Sequence, residues 1–367
     1  MEKAKIGVIG CGKISGIYFQ NLTQTFSNTE VIACSDLIQE RARAAAEEFE
    51  IPKACSTQEL LADPEVQLVV NLTIPELHAE VSLSALGAGK HVYLEKPLAV
   101  AREDGKKVLD AAQANGLLLG GAPDTFLGGG IQTCRKLIDD GWIGEPVAAT
   151  AFMTTPGHER WHPDPEFYYK RGGGPMFDMG PYYLTALINL LGPVKRLTGA
   201  ERITYPERTI TSEPKYGKKI TVDVPTHVAG VLEFTSGPIG MILTSFDVWG
   251  ANLPSIEIYG TAGSLAVPDP NTFGGPIRIL RRGDTEWQEV PLVYGYTENS
   301  RALGVAEMAL AIQTGRTPRA NGALLYHVLD LMAGFHDAAD AGRHYEPTSS
   351  CERPEPLPMN LAHGEVG

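Results

Sequence analysis

Three groups of residues in this chain have the types and spacing to do chemistry. Gly10-Cys11-Gly12-Lys13-Ile14-Ser15 follows the apolar run Lys5 to Ile9 and leads into a helical pattern. A glycine turn in that setting carries phosphate. Gly10 permits the tight bend, Gly12 lets the backbone approach an anion, and Lys13 and Ile14 lie at a helix N-terminus, whose N–H groups and dipole favour negative charge. The third position of the G-x-G-x-x-G pattern is Ser15, small enough for helix to pack on strand, with Gly16 next. Asp36 ends the following apolar run, 20 residues beyond Gly16, where a carboxylate accepts hydrogen bonds from an adenosine ribose and repels a 2′-phosphate. The turn and Asp36 together point to NAD rather than NADP, and Leu37 stands where an NADP site would place arginine.

The second group is Glu95-Lys96-Pro97, directly after the apolar run HVYL. Lys96 is thereby placed at a carboxyl end of the sheet, the edge where open α/β sheets bind ligands. Its cation could hold a hydroxyl and stabilise the oxygen charge that develops as hydride leaves the carbon. Glu95 could orient Lys96 or a cofactor, and Pro97 could fix the turn. The third group is Asp178 and Tyr182, four residues apart, which share a face if one helix includes both. By periodicity alone, Asp178 could equally cap a helix whose next residues are core aromatics. Between the second and third groups runs a loop with His158, Arg160, Trp161, His162, Tyr168 and Tyr169. Its rings could stack on a sugar, although core packing of Trp161 and a solvated face for His158, Arg160 and His162 fit the same pattern. No metal-ligand spacing appears, so no metal is expected.

The elements that must position these groups fall into two textures. Up to about residue 120, short apolar runs alternate with helical patterns, including helices expected over 39–49, 75–89 and 103–115. Strands that read as continuous apolar runs are buried on both faces, and their alternation with helices predicts a parallel, doubly wound sheet. After Asp124 the pattern changes to a helix over 131–140, a strand over 146–155 and a helix over 182–191. A run of strand-like segments separated by Gly, Pro and Asn turns follows, and then helices over 302–314 and 324–341. The expectation is α/β plus α+β. Residues 1–124 would form a dinucleotide-binding domain and 125–367 a substrate domain with a mainly antiparallel sheet, its last helices packing back on the first domain. The Pro-rich stretch 354–358 should run extended over the surface.

Composition narrows the partners. With 44 acidic against 31 basic residues and a net charge of -13, nucleic acid and anionic membranes are disfavoured, because their phosphates reward clustered Lys and Arg. A neutral small molecule fits better. Five scattered cysteines without a C-x-x-C pair indicate neither a disulfide framework nor a zinc site, and suggest reduced thiols in a cytoplasm. No signal-peptide pattern or membrane-length apolar stretch is visible.

Read together, GVIGCGKIS with Asp36, NLTIPELH, YLEKP and DMGPYY resemble the glucose-fructose oxidoreductase and inositol dehydrogenase family, in that family's order and over nearly the whole chain. The resemblance implies a Rossmann domain followed by an open-faced β-sheet domain, with homodimers or homotetramers formed through the sheet. It implies a sugar or polyol substrate and hydride transfer between a ring CH–OH and the nicotinamide. Lys96 matches the family's catalytic lysine, Asp178 its motif aspartate, and Tyr182 a position that is His in inositol dehydrogenases. Tyr182 would accept the hydroxyl proton if a cation such as Lys96 stabilised its phenolate. Asn71, Thr73, Pro75 and His78 match the segment lining the nicotinamide side. The run Pro123-Asp124-Thr125-Phe126 departs from the family's Asn-x-Arg-Phe-like segment and places Asp124 among the expected substrate contacts, with Trp161 and His162. Two rival activities use the same residues: an NAD-dependent glycosidase acting through a transient 3-keto sugar, and a non-catalytic NAD-sensing regulator.

Overall fold

The computed structural model describes residues 2–367. Its first layer is a six-stranded parallel sheet of β1 (Ala4–Ile9), β2 (Thr29–Ser35), β3 (Lys53–Ala54), β4 (Leu68–Asn71), β5 (His91–Leu94) and β6 (Leu119–Gly121), in the order 3-2-1-4-5-6. The reason is visible in the strands themselves: Ile6, Val8, Leu68, Val69, Val70, Val92 and Leu94 are all fully buried, so both faces need a cover of helices. The connecting helices are α1 (Ser15–Gln20), α2 (Gln39–Glu48), α3 (Thr57–Ala62), α4 (His78–Gly87) and α5 (Arg102–Ala114). The strand order reverses between β1 and β4, which opens a crevice at their carboxyl ends. The glycine turn after β1, the Thr73 segment after β4 and the Lys96 segment after β5 all meet there.

The rest of the chain comprises α6 (Gly129–Asp139), β7 (Pro146–Thr154), α7 (Gly174–Leu191), β8 (Val194–Arg202), β9 (Glu207–Thr209), β10 (Lys219–Thr221), β11 (His227–Phe234), β12 (Ile239–Ser245), β13 (Ile256–Gly260), β14 (Gly263–Val267), β15 (Ile277–Arg281), β16 (Gln288–Val290), α8 (Leu303–Thr314) and α9 (Gly322–Ala341). Eight of these strands form one sheet in the order 16-15-14-13-7-12-11-8. It is antiparallel except where β7 and β12 run parallel. One face is packed by helices. The other carries the row Thr198, Val231, Met241, Thr150 and Glu257, registered strand by strand, and Met241 is 54% exposed there.

Helix α7 begins at Gly174, eight residues before the expected start, so Asp178 lies inside the helix and not at its cap. Pro175 at its first turn suits a helix start, and Pro181 lies within it. The helix is apolar almost all round: Tyr183, Leu184, Ala186, Leu187, Ile188, Leu190 and Leu191 are buried. Such a helix must be covered on every side, and α7 lies between α6 and α9 and the inner face of the large sheet. Its N-terminal turns are thereby presented to the crevice of the first sheet. The last helices lie against that first sheet: Asn28 donates to the Ala306 carbonyl, Gly121 N–H donates to the Ala320 carbonyl, and Arg102 on α5 pairs with buried Asp330 on α9 at 2.7 Å.

Candidate active site

The glycine turn stands as its residue types require. Gly10 has φ +102°, and a Cβ there would meet the Leu72 backbone carbon and oxygen at 2.7 Å. Only glycine tolerates both the left-handed conformation and the contact. At Gly12 a Cβ would have nothing within 4 Å, so the backbone faces open space where a phosphate can approach. Asp36 lies beside this turn: one carboxylate oxygen accepts the Cys11 N–H at 2.7 Å and the other accepts the Ile38 N–H at 2.8 Å. The residues present therefore fit the charged pyrophosphate and the neutral ribose of an adenosine diphosphate, with the turn for the anion and the carboxylate to accept from the ribose hydroxyls.

The remaining cofactor candidates divide by role. Buried Asn71 accepts the Thr73 hydroxyl at 2.6 Å and donates to the His78 carbonyl at 3.1 Å, so it shapes the segment that displays Thr73 and Pro75. His78 differs from expectation. It is fully buried, and its ring nitrogens lie 2.6 Å from the Pro97 carbonyl and 3.0 Å from the Thr73 carbonyl. Burial lowers its pKa despite these two carbonyls. His78 ties the β4 loop to the β5 loop and is not free for a cofactor. Glu95 accepts the Tyr18 hydroxyl at 2.7 Å and the Lys96 N–H at 3.0 Å, which orients the lysine segment. The Lys96–Pro97 peptide is cis.

Lys96 reaches across to α7. Its Nζ donates to the Asp178 carboxylate at 2.9 Å and to the Asp178 carbonyl at 2.7 Å, leaving one of three ammonium protons for a ligand. Burial alone would lower the Lys96 pKa, but the charges of Asp178 and its neighbours outweigh burial and leave it above the ordinary lysine value. Burial likewise pushes the Asp178 carboxyl up, and Lys96 and His158 outweigh it, leaving Asp178 at about 2. The lysine's contribution to stability is present below 10.5 and is lost only above it; the aspartate's is present above 3.8 and is lost as pH falls toward about 2. Across neutral pH the pair is ionised on both sides and its contribution is flat.

Tyr182 shares the helix face with Asp178, as the spacing required, but its hydroxyl is not turned to Lys96. The Lys96 ammonium stands 5.2 Å from the centre of the tyrosine ring, and the Arg301 guanidinium lies near the hydroxyl. Burial raises the Tyr182 pKa despite both cations. The phenolate expected from the sequence is therefore corrected to a neutral phenol beside two cations.

Asp124 is also corrected. It is 1% exposed, and its carboxylate accepts the Gly304 N–H at the start of α8 at 3.0 Å. Burial lifts its pKa to about 6. Its bond to Gly304 ties the segment after β6 to the first turn of α8. Trp161 is 55% exposed, with the Lys13 ammonium 5.7 Å from its ring centre, so it stands over the glycine turn. His162 packs edge-on to Trp161, Phe167 and Tyr168, and its Nδ1 accepts the Asp164 N–H at 3.0 Å.

Residues that sequence reasoning left open complete the site. His158 Nε2 lies 3.0 Å from the second Asp178 oxygen. Arg301, which lies near Tyr182, donates to the Asn271 side-chain oxygen at 2.9 Å. A cavity of about 390 Å³ beside α7 is lined in part by Thr154, Thr155, His158, Ser255, Asp269 and Asn271, a set of hydroxyl, amide and carboxylate groups that suits a polyhydroxylated ring. Arg301 and Asn271 lie far from the motifs in sequence and carry no local signal. Among the described residues, no helix is long and apolar enough to cross a membrane.

The comparisons bear on the family and the fold. Residues 4–121 match the model of an oxidoreductase family with an NAD-binding Rossmann fold, and residues 131–266 match the GFO/IDH/MocA C-terminal domain. The chain is 34% identical over 294 residues to the dTDP-3,4-didehydro-2,6-dideoxy-alpha-D-glucose 3-reductase of Streptomyces violaceoruber, covering 78% of this chain and 80% of that protein. It is 35% identical over 147 residues to the inositol 2-dehydrogenase of Salmonella typhimurium, which is 39% of this chain and 44%, less than half, of that protein. A levoglucosan dehydrogenase solved with NADH and L-sorbose superposes with TM-score 0.81 at 20% identity, over 95% of this chain and all of the other, a likeness of fold. Two family models in the order of the two sheets, and a relative similar over four-fifths of its own length, place the chain in the GFO/IDH/MocA family of oxidoreductases.

Proposed function

We propose that this protein exchanges a hydride between a ring CH–OH of a sugar, glycoside or cyclitol and a nicotinamide, with NAD as its cofactor. The observation that carries the reading is the buried Lys96–Asp178 pair at the carboxyl edge of the parallel sheet, next to a glycine turn and Asp36 that fit a dinucleotide. Gly10, Gly12, Lys13, Ile14 and Asp36 would hold NAD, with Thr73 and Pro75 beside its nicotinamide end. Bound there, NAD supplies the hydride acceptor, or as NADH the donor. Lys96 uses its remaining N–H to bind the substrate oxygen and offset the negative charge that develops on it, while the hydroxyl proton passes to water as the hydride leaves the carbon, and returns from water in the reducing direction. Asp178 keeps Lys96 charged and fixed, and the Tyr182 hydroxyl positions a second substrate group. Residues 1–124 bind the cofactor and residues 125–367 the substrate, whose ring lies in the cavity beside α7. The chain works in the cytoplasm with its thiols free.

The test is NADH formation with purified protein, NAD and a panel of myo-inositol, levoglucosan, D-glucose and L-sorbitol. Sustained reduction of NAD is the expected result. Glycoside cleavage on catalytic amounts of NAD would move the reading to a glycosidase, and neither reaction would leave a sensor. For the cofactor itself, NAD should bind at least about tenfold tighter than NADP, or ~1.4 kcal/mol, because Asp36 meets the ribose. Calorimetric titration of both checks this, and equal affinities would remove the argument from Asp36.

We further propose self-association through the outer face of the large sheet, where Val231 and Met241 stand opposite each other and are both exposed. Met241→Glu should weaken that association by about tenfold or more, since charge at the centre of an apolar interface is costly. Sedimentation velocity over a concentration series decides it. A wild-type chain that stays monomeric at micromolar concentration sinks the idea.

A further inference from the structure

The carboxylate of Asp178 has two oxygens and two partners from different parts of the chain. Lys96 takes one, and His158, on the loop between β7 and α7, takes the other at 3.0 Å. Tyr182, one helical turn after Asp178, makes no hydrogen bond to that carboxylate among the described residues, so its support comes from outside α7.

His158 is placed before any ligand arrives. Its ring sits among Tyr168, Phe246 and Trp161, with centroids 4.2, 4.5 and 5.3 Å away. Its backbone N–H donates to the Tyr169 hydroxyl at 3.1 Å. That hydroxyl donates to Glu159, which is paired with buried Arg208 at 2.8 Å. Arg208 in turn donates to the Phe246 carbonyl at 3.0 Å. The chain of bonds fastens the loop to the large sheet and fixes where the imidazole stands.

The tautomer follows from the surroundings. Nδ1 is buried and, among the described residues, has no hydrogen-bond partner. A neutral imidazole carries one N–H, and a proton on Nδ1 would be buried unpaired, so the proton belongs on Nε2, facing the carboxylate.

We propose that His158 is a positioning residue for the reaction. By donating Nε2–H to Asp178 it locks the carboxylate with its other oxygen on Lys96, and so sets the direction of the one lysine proton left for substrate. The proposal rests on the hydride-transfer reading above.

Two replacements separate this role from simple packing. His158→Phe keeps a ring among Tyr168, Phe246 and Trp161 but loses the donor; His158→Gln keeps a donor at nearly the Nε2 position and loses the ring. With NAD and the best of myo-inositol, levoglucosan and D-glucose, the Phe variant should lose about tenfold or more in kcat, with the KM for NAD unchanged. The Gln variant should recover at least about half of that loss on a logarithmic scale. Equal kcat in the Phe variant and wild type overturns the proposal, and so does a Gln variant no better than Phe. A second readout needs no turnover. In nitrogen-15 spectra of the imidazoles, the His158 signal, identified by its loss in His158→Phe, should show a slowly exchanging Nε2–H that is lost in Asp178→Ala. An unchanged signal in Asp178→Ala overturns the link. If wild type turns over none of the polyols, the reaction reading fails by itself, and the spectra still decide whether His158 and Asp178 are bonded.

Discussion

Lys96→Met should lower turnover by roughly a hundredfold or more while leaving NAD affinity within about threefold of wild type. The substitution keeps the length and apolar stem of the side chain and removes the ammonium that pairs with Asp178 and keeps a proton free for a ligand. Positioned electrostatic donors at a developing oxygen charge are worth factors of about 10² to 10³. Stability should fall as well, because a carboxylate that is largely buried loses its countercharge. Breaking a fully buried pair costs about 3–5 kcal/mol, and here the His158 bond and the residual 15% exposure of Asp178 keep the loss toward the low end or below it. Urea melts, calorimetric titration with NAD and steady-state rates measured on one preparation test all three parts. Turnover close to wild type would remove Lys96 from the chemistry, and loss of folding would make it structural.

Gly10→Ala should be the most damaging single change in the nucleotide-binding turn. The added Cβ would stand 2.7 Å from the Leu72 backbone and would have to do so at φ +102°. Neither side can give easily, since Leu72 N–H is bonded to the Ile9 carbonyl and continues the β4 strand. A non-glycine residue in such a conformation costs about 1–3 kcal/mol before the clash is counted. The expected outcome is a melting temperature lower by several degrees and NAD binding weaker by about a hundredfold. Gly12→Ala provides the contrast: its Cβ has open space in the absence of ligand, so the fold should survive and only NAD binding should fall. If both variants bind NAD as wild type does, the dinucleotide is not held at this turn.

The Lys96–Asp178 pair shows how far local pattern reaches. Lys96 is readable because E-K-P directly follows an apolar strand, and the carboxyl end of such a strand is where ligands bind. Asp178 and Tyr182 are readable as a face because a helix returns every fourth residue to the same side. Whether the helix included both depended on where it began, and Pro175 at its first turn decided that.

What the four-residue spacing could not convey is direction. Tyr182 lies on the face of Asp178, yet it meets Lys96 with its ring, and the Arg301 beside it arrives from the segment before α8. His158 reaches Asp178 from a loop 20 residues earlier, anchored by Arg208 from β9. Asp124 and His78 show the converse: both lie beside motif residues, and both are buried and bonded to backbone groups that the folded chain brings to them.

The sequence by itself determined the parallel sheet, the glycine turn with Asp36, and the positions of Lys96 and Asp178. Each of these is set by periodicity and by which residues tolerate a turn, properties that act over a few neighbours. Only the tertiary structure decided which polar groups meet. A buried donor or acceptor must be satisfied by whatever partner packing delivers. For His158, Asp124 and His78 that partner comes from another segment of the chain or from its backbone, where no spacing between side chains records it.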